Sequence, residues 1–237
     1  MLILFDIDLT LLSTGGSGAR AMLAAGRELF GTQFSTEGVS FAGRLDPLII
    51  ADLFTRAGVA PTPASVADFV SRYRNRLTDE LARTPSCAAL PGVLTLLAAL
   101  HDHRRVSPSL ALGILTGNFE TTGSMKLDRC GIPIDRFEVR VWGDHSRNDP
   151  PHRSDLVPVA MRRYESLRAR PLPATDVVVI GDTPHDVHAA LAHGCRALGV
   201  ATGRSSTAEL KDAGGHLVVP DLSDTPSLLD WLVGSPR

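Results

Sequence analysis

Short apolar runs recur along the chain, and within each run apolar residues do not alternate with polar ones. Such runs are typical of strands buried on both faces, as in a parallel sheet that is covered by helices. They predict strands at residues 2–5, 110–115, 137–142, 177–180, 197–200 and 217–219.

Between these runs, apolar residues recur with the period of an α-helix. This pattern predicts helices over residues 92–100, 118–130, 155–167 and 185–193. Strands that alternate with helices in this way are typical of an α/β fold with a doubly wound, mostly parallel sheet.

The segment from residue 15 to residue 87 breaks the alternation, because it shows helical periodicity and no convincing strand. STGGSG (13–18) precedes the segment and ARTPSCAALPG (82–92) follows it, and both are typical of flexible or turning backbone. We therefore predict an all-helical domain over residues 15–87, inserted into a core domain formed by residues 1–14 and 88–237. Its clearest apolar helix face comprises Val66, Phe69, Val70, Tyr73, Leu77 and Leu81.

The composition of the 237-residue chain limits its expected partners and location. A formal net charge of −2 argues against binding a polyanion such as nucleic acid. No apolar run reaches membrane-spanning length, and Cys87, Cys130 and Cys195 lack the spacing of a zinc site or a disulfide framework. We expect a cytoplasmic protein, monomeric or homodimeric, with no nucleic-acid or membrane partner.

Carboxylates follow two of the predicted strands. Asp6 and Asp8 come after the first, and Asp182 comes after the strand at 177–180, with Asp186 four residues later. Thr116 ends a third strand. In an open α/β sheet ligands bind beyond the carboxyl ends of the strands, so we expect these side chains to converge there.

Two carboxylates at one strand end give a fold no advantage, because like charges repel and burial adds to the cost. A bound cation would compensate, and three clustered carboxylates together with a phosphate oxygen suit Mg2+. Asp6 can then act as a nucleophile and Asp8 as an acid and base, while Thr116 and N–H groups near Gly117 bind phosphate oxygens. Helix capping is the ordinary alternative for such residues, above all for Asp186.

Three motifs occur in a fixed order, DIDLT (6–10), LTGN (115–118) and GDTPHD (181–186), with the helical insert after the first. This arrangement resembles the haloacid dehalogenase superfamily, most closely its phosphatases with a helical cap of the phosphoglycolate-phosphatase kind. The segment FAGRLD (41–46) is similar to the GRTD pattern of the cap loop in those proteins. The resemblance implies a Rossmann-like core and a helical cap domain.

The resemblance also implies roles for individual residues. Asp6 would be the nucleophile that forms an aspartyl-phosphate, Asp8 the acid and base, and Thr116 a ligand of the transferring phosphoryl group. Asp6, the backbone carbonyl of Asp8 and Asp182 would bind Mg2+, with Asp186 assisting directly or through water.

We assign substrate binding to Thr10, Gly117, Asn118 and Arg44. An arginine in the cap loop can bind a carboxylate or a second phosphate of the substrate. The alternative for Arg44 is a surface salt bridge to Asp46.

The third motif departs from the family, which commonly has a lysine before a proline-rich helix start. The corresponding region here reads DPPHRSDLV (149–157) and contains no lysine. We predict that Arg153 supplies the missing positive charge, because it lies where a helix should begin. Arg147 and Lys126 are the alternatives.

These residues predict a Mg2+-dependent hydrolase of a small anionic phosphomonoester such as phosphoglycolate. The alternatives are a sugar-phosphate mutase and a non-catalytic protein that binds a phosphorylated ligand. Asp8 argues against dehalogenation, because dehalogenases of the family lack this second acid. Phosphonate hydrolysis through a Schiff base needs a lysine in the cap. The two lysines of the chain, Lys126 and Lys211, lie outside the predicted cap, so the sequence excludes this reaction.

Overall fold

The computed structural model describes residues 1–146 and 148–234. The strands are β1 (Leu2–Phe5), β2 (Leu12–Ser13), β3 (Ala88–Ala89), β4 (Ala111–Leu115), β5 (Val139–Val141), β6 (Val177–Gly181), β7 (Arg196–Val200) and β8 (Leu217–Val219). The helices are α1 (Ser17–Phe30), α2 (Asp46–Arg56), α3 (Pro63–Arg83), α4 (Val93–His103), α5 (Glu120–Arg129), α6 (Leu156–Arg168), α7 (Pro184–Leu191), α8 (Thr207–Asp212) and α9 (Thr225–Val233).

The centre of the fold is a parallel sheet in the order β5-β4-β1-β6-β7-β8. Residues of β1 alternate between the faces: Ile3 and Phe5 pack with α4, α5 and α9, whereas Leu2 and Leu4 pack with α6, α7 and α8. Helices therefore cover both faces, which confirms the predicted doubly wound α/β fold. All predicted strands are present, although β5 is shorter than the predicted run at 137–142.

The helices α1, α2 and α3 form an apolar cluster of their own. Phe69, Tyr73, Leu77 and Leu81 of α3 are buried in it, as the helical periodicity predicts. Phe54 of α2 packs among these side chains. Such a cluster is what an inserted helical domain requires, and the boundaries 15–87 for that domain stay a prediction.

The apolar pattern does not predict every element. The short strands β2 and β3 pair antiparallel, Leu12 with Ala89 and Ser13 with Ala88, where the composition indicates only linkers. Two residues are too few to show an alternation, and the pairing joins segments that are far apart in the chain. The C-terminal helices α8 and α9 are also not predicted.

The loop before α2 contacts the loop after β4 at Gly117. The backbone N–H of Asp46 donates to the Gly117 carbonyl (2.7 Å), and Asp46 Oδ2 accepts from the N–H of Phe119 (3.3 Å). A Cβ on Gly117 would lie 2.0 Å from the carbonyl oxygen of Arg44, so only glycine fits. Burial raises the pKa of Asp46 to about 7, although the charge of Lys126 opposes the rise.

Among the residues that the structure describes, no helix is both long and apolar enough to cross a membrane.

Substitution of Gly92 tests the packing between α4 and the loop before α9, and substitution of Gly58 is its control. Gly92 has φ +79°, and a Cβ there would lie 2.0 Å from the carbonyl carbon of Leu222. Gly58 has a similar φ of +68°, with nothing among the described residues within 4 Å of a Cβ. Left-handed strain costs about 1–2 kcal/mol, so Gly58→Ala should lower the free energy of unfolding by about that amount.

The steric clash at Gly92 adds to this strain, so Gly92→Ala should cost at least about 2 kcal/mol more than Gly58→Ala. Urea unfolding followed by circular dichroism measures both losses. Equal losses would show that the loop at Leu222 moves away without cost.

The buried carboxyl of Asp46 predicts a dependence of stability on pH. Its folded pKa of about 7 lies above the ordinary value of 3.8, so folding carries no penalty from this group below pH 4. The penalty grows as pH rises and is complete above pH 7. Asparagine keeps the acceptor for the Phe119 N–H and removes the charge. Asp46→Asn should therefore stabilise the protein more at pH 8 than at pH 5, by about 2 kcal/mol.

Urea unfolding at pH 5, 6, 7 and 8 measures this difference. Asp212→Asn removes one negative charge from an exposed position and serves as the matched control. A gain from Asp46→Asn that is the same at pH 5 and pH 8 would contradict the prediction.

Candidate active site

The parallel sheet brings the predicted site residues to one edge. Asp6 follows β1, Thr116 follows β4 and Asp182 follows β6, and these three strands are neighbours. A cavity of about 250 Å³ opens at this edge, beneath the loop that leads into α2. The predicted residues that line it are Asp6, Asp8, Arg44, Thr116, Gly117, Asn118, Arg153 and Asp182.

Arg153 lies against the acidic residues of the cavity. Its Nη2 is 2.7 Å from Asp6 Oδ1 and 2.6 Å from Asp186 Oδ1, and the side chain is buried. Burial alone would lower the pKa of the guanidinium, but the two carboxylates raise it above its ordinary value. The residue sits in a 3-10 turn at the start of α6, the place at which the sequence predicts the third-motif cation. The alternative Arg147 lies outside the described residues.

Asp6, Asp182 and Asp186 form a buried cluster in which one carboxylate oxygen of each lies within 4.8 Å of the others. Burial raises the pKa of Asp6 to about 6 and that of Asp182 to about 8, and the neighbouring carboxylates add to both shifts. Arg153 opposes these shifts, but one guanidinium does not neutralise three carboxylates.

The two carboxylate oxygens of Asp186 have different partners. Oδ2 accepts from the Thr183 hydroxyl at 2.7 Å and from the Thr183 N–H at 3.2 Å, so it caps α7 as the alternative interpretation expects. Oδ1 faces Arg153 in charge contact but without the geometry of a hydrogen bond. A buried carboxylate oxygen that lacks a hydrogen bond, in a cluster with excess negative charge, fits a hard divalent cation such as Mg2+.

Asp8 belongs to a second group of charged side chains. Lys126 Nζ lies 2.6 Å from Asp8 Oδ2 and donates to Asn118 Oδ1, also at 2.6 Å. The amide nitrogen of Asn118 donates to Asp8 Oδ2 (2.8 Å) and to Thr116 Oγ1 (2.9 Å). Although burial lowers the pKa of Lys126, the carboxylates of Asp8 and Asp46 raise it above its ordinary value, so the side chain stays an ammonium.

The structure thus places Lys126 beside Asp8, whereas the sequence suggests it only as an alternative third-motif cation. The contact cannot be predicted from spacing, because it joins α5 to the end of β1. In the sequence, Lys126 stands out only as one of the two lysines of the chain.

Two of the predicted substrate-binding residues make contacts that the sequence does not predict. Thr10 is fully buried and does not line the cavity; its hydroxyl donates to Asp182 Oδ1 at 3.4 Å. Arg44 lines the cavity, and its Nη1 pairs with Asp52 Oδ2 at 2.5 Å. The suggested salt bridge from Arg44 to Asp46 is wrong, because Asp46 turns inward to bind the N–H of Phe119.

Tyr73 and Arg204 also line the cavity and are absent from the sequence prediction. Tyr73 looks like a core residue of α3 in the sequence, and its side chain reaches the cavity only because α3 packs over α5. Arg204 lies in the loop after β7, on an exposed position at the cavity mouth, where no motif marks it.

Comparison with known proteins agrees with this architecture. A family model described as haloacid dehalogenase-like hydrolase matches residues 3–200. A comparison with curated protein sequences finds no match.

Several solved structures share the fold over nearly the whole chain. A hydrolase from Pseudomonas syringae has a TM-score of 0.68 and 22% identity, with 99% of each chain covered. A predicted phosphoglycolate phosphatase from Haemophilus somnus has a TM-score of 0.70 and 18% identity, with 96% of this chain and 97% of that one covered.

A third structure is a mutant of CbbY from Rhodobacter sphaeroides in complex with xylulose-(1,5)bisphosphate. It has a TM-score of 0.71 and 20% identity, with 94% of this chain and 95% of that one covered. At these identities the likeness shows the fold alone, whereas the family model spans most of the sequence. The chain therefore belongs to the haloacid dehalogenase-like hydrolases, the family that its three motifs indicate.

Proposed function

We propose that this protein is a Mg2+-dependent phosphomonoester hydrolase that works through an aspartyl-phosphate on Asp6. The observation that supports this most is the placement of Asp6, buried at the cavity floor with its Oδ1 against Arg153 and beside Asp182 and Asp186. A carboxylate has no structural reason to be buried among like charges, but a nucleophile that attacks phosphorus needs positive charge beside it, here Arg153 and the cation that the acidic cluster would bind.

In the first step, a carboxylate oxygen of Asp6 forms a bond to phosphorus, and the bond from phosphorus to the ester oxygen breaks. The ester oxygen takes a proton from Asp8 and leaves as an alcohol. In the second step, the oxygen of water forms a bond to the phosphorus of the aspartyl-phosphate, and the bond from phosphorus to the Asp6 oxygen breaks. The water gives a proton to Asp8, so the Asp6 carboxylate and the acid form of Asp8 are restored and phosphate is released.

Asp6, Asp182, Asp186 and the backbone carbonyl of Asp8 would hold Mg2+. The bound cation would neutralise charge on the phosphoryl oxygens and on the carboxylates. Thr116 and the N–H groups beside Gly117 would bind the remaining phosphoryl oxygens, since both residues line the cavity next to Asp6.

A cavity of about 250 Å³ favours a small substrate. Arg204 at the mouth favours a substrate with a second anionic group, of the phosphoglycolate kind. Arg44 also lines the cavity, and to bind the same group it would exchange its partner Asp52 for the substrate. The structures described as a predicted phosphoglycolate phosphatase and as a complex with xylulose-(1,5)bisphosphate support a small phosphorylated ligand. The helical segment 15–87 would serve as the cap that excludes water during the reaction.

Phosphate release from a panel of small phosphomonoesters tests the reaction. Asp6→Asn keeps the shape of the side chain but removes the nucleophile, so it should lower kcat at least about 10³-fold. EDTA should abolish release, and added Mg2+ should restore it. Asp212→Asn, which changes an exposed side chain, should keep the wild-type rate.

The other outcomes identify the alternative functions. Conversion of one sugar phosphate into an isomer without phosphate release would indicate a mutase. Binding of phosphorylated ligands by wild type and Asp6→Asn alike, with no turnover of any ester, would indicate a binding protein.

Substitution of Arg153 should change kcat and the affinity for Mg2+ in opposite directions. Arg153→Met removes the charge that faces Asp6, so kcat should fall about 10²-fold or more. The same change removes a positive charge from the proposed cation site, so the affinity for Mg2+ should rise. Arg153→Lys keeps the charge and should keep more of the activity.

Titration calorimetry with Mg2+ and steady-state kinetics measure the two effects on each variant. Weaker Mg2+ binding by Arg153→Met would mean that Arg153 supports the cluster structurally rather than competing with the cation.

A further inference from the structure

The ring of hydrogen bonds around Asp8 fixes the orientation of its carboxyl group. Lys126 Nζ and Asn118 Nδ2 both approach Asp8 Oδ2, at 2.6 and 2.8 Å. Among the described residues, no hydrogen bond is made to the other oxygen, Oδ1. The side chain of Asp8 is 40% exposed and lines the cavity. One carboxylate oxygen is therefore held by protein and the other is available to the cavity.

Asn118 connects this ring to the phosphate side of the cavity. Its carbonyl oxygen accepts from Lys126, and its amide nitrogen donates to both Asp8 and Thr116. Reversing the amide would place its N–H groups against the ammonium and its oxygen against the Asp8 carboxylate. The ammonium of Lys126 thus sets the orientation of Asn118, and both side chains then set that of Asp8.

The charge of Lys126 also acts on the buried carboxyl of Asp46, but its ammonium makes its hydrogen bonds to Asp8 and Asn118. The side chain of Lys126 is only 5% exposed, whereas Asp8 remains partly open to solvent. Burying an ammonium costs several kcal/mol unless charge contacts offset it, and an apolar side chain of similar length avoids that cost. Thr122, Gly123 and Leu127, also buried on α5, show that this helix face packs without charge.

We propose that Lys126, together with Asn118, is a positioning residue that holds Asp8 Oδ2 so that Oδ1 faces the ester oxygen of the substrate. This inference rests on the proposed function, in which Asp8 is the acid for the leaving group. When the bond between phosphorus and the ester oxygen breaks, its electron pair stays on that oxygen, which takes the proton from Oδ1. The resulting Asp8 carboxylate remains paired with Lys126.

The proposal predicts that the need for Lys126 depends on the leaving group. An alkoxide must be protonated as it leaves, so hydrolysis of an alkyl phosphate requires a well-placed acid. The 4-nitrophenolate ion leaves without a proton. A residue that only stabilises the fold, or only binds phosphate, would affect both esters alike.

The experiment compares glycerol phosphate with 4-nitrophenyl phosphate as substrates of the full chain in saturating Mg2+. Single-turnover measurements follow formation of the phosphoenzyme. Lys126→Met should slow this step about 100-fold for glycerol phosphate and less than about threefold for 4-nitrophenyl phosphate. Lys211→Met removes the other lysine, which is exposed at the end of α8, and should leave both rates at the wild-type value.

A second variant covers the case in which Lys126→Met does not fold. Asn118→Leu keeps a similar volume and breaks the ring while leaving the ammonium in place, so it should show the same preference for the aryl ester. Thermal unfolding confirms that each variant compared is folded.

The outcomes separate this inference from the function on which it rests. Equal losses for the two esters, or a change confined to KM, would overturn the positioning role while an active wild type still supports hydrolysis. No turnover of either ester by wild-type protein, or full activity of Asp6→Asn, would overturn the proposed function and this inference with it.

Discussion

The repulsion between buried carboxylates at one edge of the sheet is the constraint on which the site depends. Parallel pairing of β1 with β4 and β6 fixes where Asp6 and Asp182 lie, and the start of α7 adds Asp186. Burial raises the pKa of Asp6 and of Asp182, which reflects the cost of this arrangement. The fold offsets part of that cost with one buried guanidinium, and the divalent cation proposed for this site would offset the rest.

Each of the two aspartates of the first motif pairs with a different cation. Asp6 is paired with Arg153 from the start of α6, whereas Asp8 is paired with Lys126 from α5. These cations approach from different elements, so the two carboxylates have different surroundings although only one residue lies between them. Two neighbouring carboxylates with different environments suit two different roles, and here one is a nucleophile candidate and the other an acid candidate.

The loop before α2 contacts the core beside the cavity at two places. The carbonyl of Arg44 approaches Gly117 so closely that no side chain fits between them, and Arg153 Nη1 donates to the carbonyl of Gly43 (3.4 Å). The same loop carries Asp46, whose buried carboxyl binds the N–H at the start of α5. Backbone groups of residues 43–46, which form the roof of the cavity, are therefore held against Gly117 and Arg153. A shift of this loop would also move residues that line the proposed phosphate-binding site.

Local patterns along the chain are enough to predict the fold class, the strands of the main sheet, the family and the set of acidic residues at the strand ends. Uninterrupted apolar runs and short motifs are local, and parallel strands bring their carboxyl ends together whatever the loops do. Arg153 is also predictable from the sequence, because the resemblance to the family implies a cation at this helix start. The pairing of Lys126 with Asp8, the inward turn of Asp46 and the pairing of β2 with β3 emerge only once the chain is folded. Each of these contacts joins residues far apart in the chain, where neither periodicity nor spacing specifies which side chains meet.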